Sequence, residues 1–378
     1  MSGNEARRVP VLRPKLPSTA ALVPYLQRID ASRTYTNHGP LVAELEDRLA
    51  ATAGDATFVT ASNGTMAIAG AILATAGWAT PERVLAIVPG FTFVASAIAA
   101  RLCGYRPYFV DVDANGALQA DALRAHQALA RAGVVIPVAP FGRPVTQAPW
   151  ERFARESGTP VVIDAAASFD FLERDAAGLT GAIPVAISTH ATKSFSTGEG
   201  GGVLVTDATL AARVTQALNF GFYANRSSAT PSVNGKLSEY HAAVGLAELD
   251  GRGGKRADLD RTIGYYRAAA SDEGIGDALL AWPDVARCYV MLRAPSGSAR
   301  AALEHAMDAA GFETRSWYGD GAHAHPEFAG CERDALPATE TLGATLLAVP
   351  SAPDIPEATV RAIVRVAAHV LREGSVTA

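Results

Sequence analysis

Short apolar runs alternate with Ala-rich segments through the first two thirds of the chain. Several runs have no polar residue at alternate positions, which is typical of strands buried on both faces of a sheet. The predicted strands are residues 83–88, 107–112, 134–138, 160–164, 184–189 and 202–206, and the predicted helices between them are 65–76, 92–103, 118–132 and 209–219. This alternation predicts an α/β fold whose mixed, mostly parallel sheet is sandwiched by helices.

The pattern changes at residues 249–261, where the sequence LDGRGGKRADLDR is polar and charged. This composition predicts a domain boundary, although a glycine-interrupted helix that joins two domains is equally compatible. We expect a large domain at residues 1–252, which includes an extended N-terminal arm, and a smaller α+β domain at 253–378. The smaller domain is predicted to have strands at 286–292, 313–317 and 345–349, and helices at 298–310 and 356–372.

Composition excludes several classes of protein. The 378 residues are 49% hydrophobic and 19% charged, as in a globular chain with a sizeable core. The 33 Lys and Arg residues are outnumbered by 38 Asp and Glu, and this net charge of -5 argues against a nucleic-acid partner. The three cysteines, Cys103, Cys288 and Cys331, are too few and too scattered for a disulfide framework or a thiolate metal site.

No membrane segment is expected. The uncharged stretch at residues 84–100 is interrupted by Pro89 and Gly90, which favours a buried strand, a turn and a helix over a membrane span. The N-terminus is basic but lacks the apolar region of a secretory signal. We therefore expect a cytoplasmic protein that contacts neither membrane nor nucleic acid and holds no metal.

Three polar sites interrupt the apolar pattern, and the first is ASNGT at residues 61–65. Gly64 allows the backbone amides at the start of a helix to approach an anion, and Thr65 adds a hydroxyl. The segment is therefore a candidate phosphate site. An ordinary N-cap formed by Ser62 or Asn63 would also explain it.

The second site is Asp164, which closes the apolar run VVID. Ligands of α/β proteins bind at the carboxyl ends of strands, and a buried carboxylate needs a cation or a strong donor. The protonated ring nitrogen of a cofactor would meet that need. An aspartate that caps the following turn is an equally good interpretation.

The third site is Lys193, which follows a buried strand in the sequence ISTHATKSFSTGEGGG at residues 187–202. A partly desolvated lysine loses its proton readily and can form a Schiff base with a carbonyl. A solvated lysine in a surface loop is the alternative. The order of phosphate site, aspartate and lysine in one α/β layer matches the three polar regions of pyridoxal 5'-phosphate.

The chain resembles the DegT/DnrJ/StrS sugar aminotransferases, which have the fold type I of aspartate aminotransferase. The resemblance runs from residue 36 to the C-terminal helix. It is carried by five ordered motifs, which are SNGT at 62–65, VPGFTFVASAIA at 88–99, YFVDVD at 108–113, STHATKSFSTGEGG at 188–201 and NGKLSEYHAAVG at 234–245.

The resemblance implies a role for each matching residue. Lys193 would form the Schiff base, and Asp164 would pair with the pyridine nitrogen. Gly64, Thr65 and Ser188 would hold the phosphate. Phe93 would stack on the ring, whereas Phe91 is expected in the core. Asn234 would reach the phosphate of a neighbouring subunit, which implies a homodimer with active sites at the subunit interface. An N-cap before LSEYHAAVG would also explain this asparagine.

The chain departs from the family pattern at two positions. The family usually has Gln three residues after its aspartate, where it donates to the ring hydroxyl of the cofactor, but this chain has Ala167. The family's Asn-aromatic-Arg appears as Asn234, Gly235 and Lys236. These changes indicate that a substrate or cofactor contact of the family is lost or replaced in this chain.

The resemblance favours an aminotransferase that moves an amino group from glutamate or glutamine to a keto sugar nucleotide. A transaminase for another carbonyl compound, such as an aminocyclitol precursor, and a catalytically weak regulatory homologue are the alternatives. Four further residues are candidate substrate contacts, although a packed corner of the small domain explains them equally well: Trp317, Tyr318, His323 and His325. His190 is interpreted as a packing or hydrogen-bonding residue more readily than as a proton carrier.

Overall fold

A computed structural model describes residues 8–223 and 225–374. Within these residues, seven strands of the first half lie side by side. They are β1 (Thr57–Ala61), β2 (Leu85–Pro89), β3 (Arg106–Val110), β4 (Ala132–Val135), β5 (Ile163–Asp164), β6 (Val185–Ser188) and β7 (Gly201–Val205).

The seven strands make one mixed sheet. Hydrogen bonds define the orders β1-β7-β6-β5 and β3-β2-β4, and parallel bridges from Val135 to Val161 and from Val138 to Asp164 join β4 to the β5 segment. The combined order is β1-β7-β6-β5-β4-β2-β3. Only β7 runs antiparallel to its neighbours within this described sheet. The carboxyl ends of the other six strands therefore share one edge.

Helices cover both faces of this sheet, as expected. They are α1 (Thr19–Ser32), α2 (Pro40–Ala50), α3 (Gly64–Thr75), α4 (Val94–Leu102), α5 (Gln147–Ser157), α6 (Phe169–Arg174), α7 (Ala176–Leu179), α8 (Ala208–Leu218) and α9 (Glu239–Asp250). Strand residues alternate between two cores: Ile87 packs with α2, α5 and α9, whereas Ala86 and Val88 pack with α3, α4 and α8. This double burial explains why the strands lack polar alternation.

Much of the second half packs around a core of its own. This half contains α10 (Arg252–Asp272), β8 (Leu279–Leu280), β9 (Met291–Arg293), α11 (Gly297–Ala309), α12 (Pro337–Thr345), β10 (Leu346–Ala348) and α13 (Glu357–Gly374). The three strands form an antiparallel sheet in the order β10-β9-β8. The described part of the N-terminal arm is extended and pairs with this half through Val9 and Val11.

The residues predicted to hold the domain boundary lie mostly in a helix. Helix α10 begins at Arg252, one residue after Gly251 ends α9, and it contains Gly253 and Gly254. Of the two interpretations, the glycine-interrupted helix is the one that matches the structure. The division of the chain into domains at residue 252 remains a prediction.

Three predicted elements differ from the structure. The strand expected at residues 286–292 is reduced to β9, because residues 286–289 form a turn in which Tyr289 N donates to the carbonyl of Ala286. Residues 118–132 form two short 3-10 turns, Ala120–Leu123 and Gln127–Arg131, instead of one helix. The ring of His126 accepts a hydrogen bond from Ala128 N and contacts Asp334, and this cap starts a new turn. Residues 313–317 form only an isolated bridge, between Arg315 and Ala348. The N-terminal arm instead pairs with the chain just before them, at Phe312.

Candidate active site

The SNGT segment turns sharply from β1 into α3. Asn63 Oδ1 accepts a hydrogen bond from Met66 N at 2.9 Å, so the helix has its N-cap. A Cβ added to Gly64 would lie 2.8 Å from Ser188 Cβ, closer than side chains pack. Only glycine allows the start of α3 to lie against the end of β6. The amides of α3 and the hydroxyl of Ser188 therefore meet at one point of the sheet edge, as an anion site requires.

Asp164 ends β5 and is 5% exposed. Its Oδ2 accepts a hydrogen bond from Ser96 Oγ at 2.6 Å, and its Oδ1 accepts one from Ala166 N at 3.0 Å. Burial raises the pKa of Asp164, although these two hydrogen bonds and the charge of Lys193 oppose the rise. A cation beside this carboxylate would therefore be strongly favoured.

Lys193 lies in the loop after β6, partly buried, and its charge is close enough to act on Asp164. Its Nζ donates a hydrogen bond of 3.0 Å to the hydroxyl of Tyr289, and it lies 5.6 Å from the centre of that ring. The alternative of a freely solvated lysine is therefore wrong. Sequence reasoning missed Tyr289, which stands two residues before β9 inside an apolar run and carries no motif.

The two phenylalanines of FTF differ as expected in burial. Phe91 is 2% exposed and packs edge-on against Phe141 and Tyr318, which confirms its place in the core. Phe93 is 56% exposed at the start of α4. Its stacking on a cofactor ring remains a prediction.

Asn234 is not the N-cap of α9, because Ser238 Oγ accepts the capping hydrogen bond from His241 N. Asn234 Oδ1 instead accepts a hydrogen bond of 2.7 Å from Lys236 Nζ. The next carbonyl, of Gly235, accepts one from Ser62 N at 2.7 Å. The NGK and SNGT motifs thus lie side by side, and a role of Asn234 toward a second subunit remains a prediction.

The aromatic and histidine candidates of the second half have different surroundings. Tyr318 stacks on Phe141 with ring centres 4.6 Å apart, and its hydroxyl accepts a hydrogen bond from Phe141 N. His323 is buried and packs near Phe109, which fits the alternative of a packed corner. Trp317 Nε1 is buried without a hydrogen-bond acceptor and so keeps a free donor near the site. His325 is exposed.

His190 is a hydrogen-bonding residue of the lysine loop. Its Nδ1 lies 2.9 Å from Thr192 Oγ1, and its Nε2 lies 3.6 Å from a carboxylate oxygen of Glu199. These contacts hold the turn that leads to Lys193, so the structural interpretation accounts for this histidine.

The residues present fit pyridoxal phosphate. The close approach at Gly64 makes an anion cradle that a Cβ would fill, and the buried carboxylate of Asp164 suits a protonated ring nitrogen. Lys193 supplies the amine. In the described part of the chain, no group of three or more His, Cys, Asp or Glu side chains is placed to hold a metal ion. Among the same residues, no helix is both long and apolar enough to cross a membrane.

The mixed sheet, with a lysine and a buried aspartate at its carboxyl edge, has the architecture of the fold type I pyridoxal-phosphate-dependent aminotransferases. The family model of the DegT/DnrJ/EryC1/StrS aminotransferases matches residues 18–367. The chain belongs to this family, and it is an enzyme that uses pyridoxal phosphate.

Individual relatives support this membership. Protein Rv3402c of Mycobacterium tuberculosis is 33% identical over 338 residues, which cover 86% of this chain and 80% of the relative. The dTDP-4-amino-4,6-dideoxy-D-glucose transaminase of Shigella dysenteriae is 31% identical over 69% of this chain and 70% of its own length. The crystal structure of DesI with its TDP-sugar product has a TM-score of 0.85 at 30% identity, and the match covers 98% of this chain and 95% of DesI.

Proposed function

We propose that this chain moves an amino group from glutamate or glutamine to the keto group of a nucleotide-linked sugar. The observation that carries the proposal is the placement of Lys193 beside the buried Asp164 at the sheet edge. Relatives described as transaminases of dTDP- and UDP-linked sugars support the acceptor class. The cytoplasm as its location and a homodimer as its assembly remain predictions.

The binding roles follow the chemistry of each side chain. Gly64, Thr65 and Ser188 would hold the phosphate, because they line the positive end of α3. Asp164 would keep the ring nitrogen protonated. The exposed ring of Phe93 would cover the pyridine face, and Asn234 would reach the phosphate of a second copy of the chain.

Bound pyridoxal phosphate supplies an aldehyde and a ring that accepts electrons. Lys193 Nζ would bind that aldehyde, and as a free amine it would be the base that takes the proton from the substrate carbon. The carboxylate of Asp164 would keep the ring nitrogen protonated, because the positive charge there offsets its own buried charge. The apolar wall of Phe141, Tyr289 and Tyr318 excludes water from this part of the site.

Two alternative functions can be weighed against specific residues. Ala167 and Gly235 differ from the family pattern, so a non-nucleotide carbonyl acceptor, such as an aminocyclitol precursor, is the second candidate. A weak regulatory homologue would need neither Lys193 nor Asp164, and the chain has both.

The first experiment is spectroscopic. The purified protein with pyridoxal phosphate should be yellow, and borohydride should abolish the visible band by reducing the bond to Lys193. The Lys193→Ala variant should lack the band. Lys15→Ala is the matched control and should keep it, because Lys15 pairs with Asp258 through an exposed contact. A wild-type protein that gains no band would overturn the proposal.

The second experiment tests the reaction and the acceptor. Glutamate or glutamine should bleach the visible band, and a keto sugar nucleotide should restore it while its amino product forms. Bleaching by an amino acid followed by recovery only with a non-nucleotide ketone would support the second candidate. A band that no amino donor changes would favour the regulatory homologue.

A further inference from the structure

Tyr289 contributes a hydroxyl to a largely apolar wall of the site. Its side chain is 8% exposed and lies between the rings of Phe141, at 5.9 Å, and Trp317, at 5.6 Å. Its hydroxyl lies 3.0 Å from Lys193 Nζ. Burial raises the pKa of Tyr289 well above its ordinary value, so the hydroxyl keeps its proton.

The chain segment that carries Tyr289 is fixed on both sides. Tyr289 N donates to the carbonyl of Ala286, whose own N–H donates to the carbonyl of Phe141. Arg287 N donates to Asp170 Oδ2 at 2.8 Å, and Asp170 is fully buried. These contacts tie the segment to α6 and to the turn at residues 140–142. The hydroxyl is therefore held toward Lys193 before any ligand arrives.

The same wall contains the residue that departs from the family pattern. Ala167 is 7% exposed and belongs to the apolar cluster of Phe141 and Tyr289. Its methyl side chain donates no hydrogen bond. This side of the site therefore offers the hydroxyl of Tyr289 where the side chain at position 167 offers nothing.

We infer that Tyr289 donates a hydrogen bond to the phenolic oxygen of pyridoxal phosphate, in place of the donor missing at Ala167. This inference rests on the proposed function. In pyridoxal phosphate the phenolic oxygen is on the ring carbon next to the one that bears the aldehyde. A hydroxyl held 3.0 Å from the amine that captures the aldehyde would therefore be within reach of this oxygen. Once Nζ is bonded to carbon it keeps at most one of its three ammonium protons, so the Tyr289 hydroxyl no longer has to accept from it and can act as a donor.

The test is a pH titration of the visible band in the loaded Tyr289→Phe variant. A donor to the phenolic oxygen stabilises its negative charge and so weakens its hold on the proton of the neighbouring nitrogen. Removing the donor should raise the pKa of the lysine-bound chromophore by about one pH unit, a tenfold change in the proton equilibrium. The readout is a wavelength shift and requires no turnover.

Two further variants separate a specific contact from a general disturbance. Tyr318→Phe removes another hydroxyl from the same wall. That hydroxyl accepts a hydrogen bond from Phe141 N, so its loss should leave the titration unchanged. Ala167→Gln combined with Tyr289→Phe should bring the pKa back toward the wild-type value, because an amide donor returns to this side of the ring.

The outcomes are distinct. An unchanged titration in Tyr289→Phe, or an equal shift in Tyr318→Phe, would overturn the inference. The proposed function would still stand if the wild-type protein is yellow. A wild-type protein without a visible band would overturn both the inference and the proposed function. If Tyr289→Phe does not fold, adding Ala167→Gln to the wild type supplies a second donor and should lower the chromophore pKa. No shift in that variant would overturn the inference, because a donor at position 167 would then not reach the phenolic oxygen.

Discussion

Ser96 Oγ lies 2.6 Å from Asp164 Oδ2, so the first turn of α4 supplies a hydroxyl to the buried carboxylate at the end of β5. Thr92 Oγ1 lies 3.1 Å from the same Ser96 hydroxyl and completes a short chain of polar groups. These contacts connect the motif after β2 with the motif after β5. They fix the direction of the carboxylate and favour its charged form.

Replacing Ser96 by alanine should weaken cofactor binding about tenfold. The variant leaves Asp164 with one fewer donor and raises its pKa further, and a hydrogen bond to a charged group contributes about 1.5–3 kcal/mol. The dissociation constant from a spectroscopic titration at neutral pH measures the effect. Ser298→Ala, which removes an exposed hydroxyl from α11, is the control. Equal affinities for both variants would contradict this role.

Asp164 should make the cofactor-free protein less stable as pH rises. Its folded-state pKa is raised above the ordinary value of 3.8 because burial disfavours the charged form. The folded state therefore binds more protons than the unfolded state between these two pKa values, and stability falls as pH increases through that window. The difference in unfolding free energy between Asp164→Asn and wild type should grow in favour of the variant across the same window. Urea denaturation at a series of pH values measures it.

The same Asp164→Asn variant should bind pyridoxal phosphate more weakly at neutral pH, because a neutral amide does not hold the ring nitrogen protonated. Stability of the cofactor-free protein and affinity for the cofactor would then change in opposite directions. A variant that loses both would indicate that Asp164 has a structural role only.

A methyl group at Gly64 should disturb the anion cradle. The Cβ of Gly64→Ala would lie 2.8 Å from Ser188 Cβ, so α3 and β6 must move apart, at a cost of about 1–3 kcal/mol. We expect lower thermal stability and at least about tenfold weaker binding of the cofactor, or of inorganic phosphate in competition with it. Gly253→Ala in α10 has open space around its Cβ and should be neutral or stabilising. Similar losses in both variants would argue against the cradle.

Asp170 should be the most sensitive ion-pair residue of this region. It is fully buried, and its Oδ1 accepts one hydrogen bond from Arg252 at 3.0 Å and lies 3.3 Å from a guanidinium nitrogen of Arg287. Asp170→Ala leaves buried cations without this partner and should cost about 3–5 kcal/mol in chemical denaturation. Glu357→Ala removes the exposed partner of Arg361 and should leave the free energy of unfolding nearly unchanged. A loss at Asp170 no larger than this control would contradict the ion-pair network.

The large sheet was predictable because burial on both faces removes polar residues from each strand. The six strands proposed from sequence correspond to β2 through β7, with ends that differ by a few residues. Asp164 ends one of these strands and Lys193 follows another, which placed them at the same edge. The family and the cofactor were also predicted correctly from the motifs.

Other parts of the site depend on contacts that no local pattern encodes. Tyr289 contacts Lys193 across 96 positions of the chain, and its neighbours in the sequence form an ordinary apolar run that carries no motif. The turns that replaced the helix at residues 118–132 depend on Asp334, more than two hundred positions away. Such contacts arise from tertiary packing, which overrides local helix propensity.

A segment of the second half of the chain, around Arg333, pairs with β3 at the edge of the large sheet. Phe109 N donates to the carbonyl of Glu332 and the carbonyl of Phe109 accepts from Asp334 N, so a short segment lies along the outer side of β3. Phe328 enters the core beneath it. A protein cut at residue 252 would therefore expose the unpaired edge of β3 and the apolar surface that Phe328 covers, and both features promote aggregation. Dissection of the molecule should keep residues 322–336 with the catalytic half, as a co-expressed piece or a permuted chain.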